Sequence, residues 1–125
     1  MAIKIKMYPN KVAKVIEAAV MAAEQTAFAI KSDVEEAQVI PFETGDLSGS
    51  DVDRSRRKSG KFNIVHSMPY ARRLYWHPEY NFRRDKNPNA RGEWYESWLT
   101  GDRKKFANES FKKLFRRQLK KRGLI

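Results

Sequence analysis

The sequence predicts an α+β domain in which a long amino-terminal helix packs on a small antiparallel sheet, followed by a basic carboxy-terminal helix. Three observations predict it. Apolar residues recur every three or four positions across residues 11–36 and again across 102–122, and residues 51–67 carry a strand–turn–strand pattern about a glycine. At 125 residues the chain suits one domain, 1–125, with one modest core.

The opening IKIKM alternates Ile3, Ile5 and Met7 with Lys4 and Lys6, the period-2 pattern of a half-buried strand. Pro9-Asn10 breaks it, with Asn10 as the expected helix N-cap. From Lys11 to about Glu36, Val12, Val15, Ile16, Ala19, Val20, Ala23, Ala27, Ile30 and Val34 form one apolar stripe. Its alanines raise helix propensity and let a neighbour approach closely. VIPFETGDLSGS, residues 39–50, ends the helix with Pro41 and the turn residues Thr44-Gly45-Asp46.

DVDRSRRKSGKFNIVHS, residues 51–67, is predicted as a hairpin turning at Ser59-Gly60. Phe62 and Ile64 should face one side and Val65 the other. In the first strand only Val52 is plainly apolar, which suits an edge guarded by arginines. Residues 68–76, MPYARRLYW, resume helical spacing as a short helix or turn. Residues 77–98, HPEYNFRRDKNPNARGEWYESW, form an arm rich in rings and arginines. The last helix, about 102–122, sets Phe106, Phe111, Leu114, Phe115 and Leu119 against Lys112, Lys113, Arg116, Arg117, Lys120 and Lys121.

The chain has no cysteine, so disulfides and thiolate zinc sites are excluded, which fits synthesis inside a cell. The run from Val12 to Ile30 is interrupted by Lys14, Glu17, Glu24 and Gln25, so no membrane span is expected, and the amino terminus lacks a signal-peptide layout. Residues 1–50 hold 5 basic and 7 acidic side chains, net −2; residues 51–125 hold 21 and 8, net +13. That asymmetry suggests a surface meeting something anionic, although a basic domain with no polyanion partner has the same composition.

Chemistry is thinly represented. His66 should lie half-buried on the strand and His77 in a turn, and neither has metal-ligand spacing. Asp51 and Asp53 suit a solvated turn. Glu93 and Glu96 would be neighbours if 92–98 is helical, and salt-bridged by the surrounding arginines. No phosphate loop or nucleophile elbow is present. No catalytic residue, metal or cofactor is therefore expected. YARRLYW and YNFRR interleave arginine with aromatics, which keeps a basic nucleic-acid-binding module, or a small RNA-cleaving toxin, as the runner-up.

Three blocks also resemble a known family. VIPFETGDLSGS (Pro41, Thr44, Gly45, Leu47, Ser50), PYARRLYW at 69–76 and NPNARGEWYESWLTG at 87–101 resemble, in order, segments of the minor capsid and tail-completion proteins of long-tailed phages. The resemblance spans about residues 9–115. It implies an α+β virion protein at the head–tail junction, made in the host cytoplasm and without a catalytic centre. It also implies assembly with itself in a ring, hexameric in relatives, between connector and tail-tube proteins, with packaged DNA passing through.

An interface of that kind favours aromatics and arginine. Trp94 and Trp98 are expected to pack inward, with Trp76, His77, Tyr80, Phe82, Arg83 and Arg84 left to contact a neighbouring subunit. The EWYESW end of the arm should be anchored and the HPEYNFRR end should reach out. Arg54, Arg56, Arg57 and Lys58 of the hairpin, with Lys112, Lys113, Arg116 and Arg117 of the last helix, are candidates for lining a DNA channel or meeting an acidic partner.

Overall fold

A computed structural model describes residues 3, 8–40, 51–66, 70–82, 84 and 88–125. The chain runs α1 (Pro9–Glu36), β1 (Asp51–Asp53), a 3-10 turn (Arg57–Ser59), β2 (Asn63–Val65), α2 (Ala71–Tyr75), α3 (Glu96–Leu99) and α4 (Phe106–Lys121). This is the α+β arrangement expected: a long first helix, a two-stranded antiparallel sheet against it, and a helix near the carboxy terminus. The predicted strand over residues 3–7 and the turn at 41–50 lie outside the described residues, apart from Ile3, which is exposed.

The helix α1 starts two residues earlier than expected. Pro9 occupies its first turn and Tyr8, not Asn10, is the cap residue, without a side-chain cap bond. Proline's fixed φ suits a first turn, where its missing N–H would have no partner anyway. The chief neighbour of α1 is α4. Glu17 pairs with Arg122, Gln25 bonds Gln118, and Asp33 bonds Arg103, so the two run antiparallel. Ala18 and Ala22 are fully buried on α1, and Gln118 is buried on α4. The small side chains of the two alanines let the helix axes come close, while the hydrogen bond from Gln118 to Gln25 and the one it accepts from Arg122 satisfy the buried amide.

The hydrophobic core lies at the carboxy-terminal end of α1. Val34, Val39, Ile40, Ala71, Trp94 and Trp98 cluster there, with Leu74, Tyr75, Tyr95 and Phe106 packed around them. Trp94 and Trp98 are both buried, as their four-residue spacing suggested. Tyr75 meets Trp94 edge-on at 4.8 Å between centroids, the geometry that ring quadrupoles favour.

Boundaries differ from expectation in three further places. The hairpin does not turn tightly at Ser59-Gly60. Its strands are three residues each, in the register Val52 opposite Ile64, and residues 54–62 connect them through the 3-10 turn, which Gly60 ends at φ 71°. Asp53 accepts from the Ser55 N–H at 3.0 Å and thereby opens the wider loop. Residues 102–105 form turns rather than the start of α4: the Lys104 N–H reaches the Gly101 carbonyl and the Phe106 N–H the Arg103 carbonyl, three residues back instead of four. Residues 92–98 are not one helix: Glu93 has φ 48°, and α3 begins only at Glu96. Glu93 and Glu96 therefore do not share a helix face, and neither is in an ion pair among the described residues. Glu96 accepts from the Thr100 hydroxyl instead.

Candidate interaction surfaces

The arm at 77–98 folds back on the core. A Cβ placed on Gly92 would come within 2.7 Å of the Pro78 Cα, so the two segments touch backbone to backbone. The Glu93 N–H donates to the Tyr75 carbonyl at 2.8 Å and the Arg91 N–H to the Val39 carbonyl at 2.9 Å. Asn89 donates its amide to the Ala37 carbonyl just past α1, and Arg84 donates to the Ala90 carbonyl. Ala90 is fully buried. The Asn-Ala-Arg-Gly portion of the third block is thus the clasp that closes the arm onto α1 and α2.

That geometry redistributes the residues expected at an interface. Phe82 does not reach outward; it is only 7% exposed, covered when the arm folds in. Trp76 is 61% exposed at the end of α2, its ring edge-on to Tyr75. His77 stacks on Tyr80 at 4.7 Å and is bonded to Glu79 at 2.7 Å, and that bond holds the Glu79 carboxyl below its ordinary range. Arg84 is exposed but tied to the arm, and Arg83 lies outside the described residues. Beside Trp76 opens a hollow of about 270 Å³, lined by His66, Ala71, Arg72, Tyr75, Trp94 and Tyr95. Within it His66 Nε2 hydrogen-bonds the Tyr95 hydroxyl, a satisfied half-buried histidine. Burial pushes the Tyr95 phenol up to about 12.

The hairpin cations are divided. Arg54 and Arg57 both donate to Glu24 of α1, each at 3.2 Å. Burial alone would raise the Glu24 carboxyl, but the two guanidinium hydrogen bonds and charges outweigh it and hold it below the ordinary value. Arg56 and Lys58 remain exposed. On α4, Lys112, Lys113, Arg116 and Arg117 are exposed in a continuous stripe that also takes in Lys120 and Lys121.

One surface was not singled out from the sequence. Val12, Val15 and Ile16 belong to the α1 apolar stripe, yet with Tyr8 they are exposed. The cause is length: α1 has 28 residues and α4 has 16, about 42 Å against about 24 Å. Because Glu17 already meets Arg122 at the end of α4, the first two turns of α1 overhang its partner. The unequal lengths of the two predicted helices were the available signal.

Among the described residues no group of three or more His, Cys, Asp or Glu could hold a metal ion, and no helix is long and apolar enough to cross a membrane. No protein-family model, curated protein or solved structure matches the chain.

Proposed function

We propose that this chain is a structural subunit of the head–tail junction of a long-tailed phage, of the minor capsid or tail-completion type. It acts by filling a place in a ring that joins head to tail and lets DNA pass. The observation that carries this reading is the apolar surface left uncovered: Trp76 at one place, and Tyr8, Val12, Val15 and Ile16 along the α1 overhang. Exposed aromatic and aliphatic groups gathered in patches are what an assembling subunit offers its neighbours. The ordered likeness of the three blocks to that family supports the same reading, and the third block is spent on internal clasping rather than on a reactive group.

The test is assembly. The chain is mixed with connector and tail-tube proteins of long-tailed phages, and mass is followed by light scattering. A defined ring or a complex with one of those proteins is expected, and Trp76→Ala combined with Ile16→Asp should abolish it while leaving the circular dichroism spectrum intact. Absence of any such association, together with nuclease activity of the purified chain, would overturn the proposal. The second reading, a basic nucleic-acid-binding module or small RNA-cleaving toxin, has the exposed cations of α4 in its favour; it predicts strong, steeply salt-dependent binding to DNA or RNA with no association to those proteins, and for the toxin that nuclease activity.

A further inference from the structure

We infer that the outer face of α4 is a rail for the phosphate backbone of duplex DNA, bound without regard to sequence. The exposed positions of this helix are Asn108, Glu109, Lys112, Lys113, Arg116, Arg117, Lys120 and Lys121. They fall into two columns at four-residue spacing, Lys112–Arg116–Lys120 and Lys113–Arg117–Lys121. Within a column successive cations stand about 6 Å apart along the axis, and the columns are about 100° apart around it. A helix so arranged lies along a major groove, about 12 Å wide, with one column toward each backbone.

Three features favour this over a merely solvated face. First, the ion pairs among the described residues draw on Lys31, Arg54, Arg57, His77, Arg103 and Arg122, and on none of these six. Second, like charges four apart on a helix destabilise it, and the two columns contain four such pairs with Glu109 as the one acidic residue of α4 to offset them. Third, no apolar side chain stands among the exposed positions. A protein interface draws its energy from buried anchors, which this face lacks, and a membrane-binding helix would need its apolar stripe free, whereas that of α4 is turned to α1. The hairpin is a poorer rail, since Glu24 already neutralises Arg54 and Arg57. Only the choice of duplex DNA rests on the junction reading; the charge geometry stands without it.

The test uses the full chain and a labelled duplex of about 20 base pairs, with anisotropy followed between about 50 and 200 mM salt. Six phosphate contacts should weaken binding about a thousandfold over that range. The variant Lys112→Gln/Arg116→Gln/Lys120→Gln should cut the loss to about fortyfold, whereas Arg56→Gln/Lys58→Gln leaves it near the parent value. Far-ultraviolet circular dichroism checks that the helix persists, as removal of like charges should favour. A shallow salt dependence, an equal effect of the hairpin variant, or tighter binding to polyglutamate than to the duplex would each overturn the inference. Failure to form rings would leave this result untouched, so the two proposals fail separately.

Discussion

Trp98 donates its indole N–H to the Oδ2 of Asp33, 65 positions away in sequence, at 2.8 Å. Arg103 donates to the same oxygen at 2.8 Å, and its guanidinium stands 5.4 Å from the Trp98 ring. One carboxylate on α1 thereby fixes both the aromatic core and the turn leading into α4. Removing it leaves the N–H of a buried tryptophan unsatisfied. Asp33→Ala should therefore cost about 2–3 kcal/mol in chemical denaturation. Asp33→Asn, which can still accept one bond, should cost less. In a double-mutant cycle with Trp98→Phe the two losses should be non-additive, and simple additivity would show that the bond carries no stability of its own.

Gly92 is the second fixed point. Its would-be Cβ meets the backbone of Pro78 and lies 3.1 Å from the Leu74 carbonyl, atoms that cannot turn aside as a flexible side chain would. Gly92→Ala should thus destabilise by about 1–3 kcal/mol through overpacking. Gly60 makes the comparison: nothing lies within 4 Å of its Cβ position, and only its φ of 71° opposes alanine. Gly60→Ala should cost about 1 kcal/mol. Thermal unfolding of the two variants, with the larger drop for Gly92→Ala, is the expected order.

These two sites show where the sequence was legible and where it was not. The existence of α1, the α4 stripe and the inward tryptophans follow from periodicity, which is a local property of the chain. The face of α1 was displaced: the structure buries Ala18, Ala22 and Thr26, which lie beside the predicted stripe, and of that stripe it buries Ala27 and Val34. The clasp is not local. Nothing in Asn-Ala-Arg-Gly states that its amides face Ala37, Val39 and Tyr75, because those acceptors are brought there only by the fold. Phe82 was misplaced for the same reason: an arm assumed to project leaves its rings outside, and an arm folded back buries one. Likewise Arg54 and Arg57 read as free cations until α1 sets Glu24 beside them. The α1 overhang was hidden in plain periodicity, since a stripe tells which face is apolar and not how far its partner extends.

Glu24 supplies a pH dependence with a definite sign. Its carboxyl is held below the ordinary value of 4.5 despite the opposing effect of burial, by Arg54 and Arg57. A depressed folded-state pKa contributes stability that is present above the unfolded value and lost as pH falls through the folded one. Acid titration of stability should therefore show a decline beginning below about pH 4.5 to which this residue contributes. Glu24→Gln should lose about 1 kcal/mol at neutral pH, the scale of a pair whose two guanidinium groups stand in solvent, and should flatten that part of the acid limb. An unchanged acid limb in Glu24→Gln would mean that the pairing of Glu24 with Arg54 and Arg57 adds nothing to stability.

Tyr95 sets the alkaline limit. Burial raises its phenol to about 12, and its hydroxyl is hydrogen-bonded to His66. In the unfolded chain the same phenol ionises near 10, so the folded state binds the proton more tightly. Stability from this group is complete below about pH 10 and is lost as pH rises toward about 12. Tyr75, also raised, by burial first and then by Glu96, adds to the same fall. Tyr95→Phe should cost about 1 kcal/mol at neutral pH by removing the bond to His66. Between pH 10 and 12 it should lose less than the parent, leaving the share due to Tyr75. Ultraviolet difference absorbance of tyrosinate resolves the two phenols in turn. A parent protein whose tyrosines all ionise together near pH 10 while still folded would refute the buried placement of Tyr95.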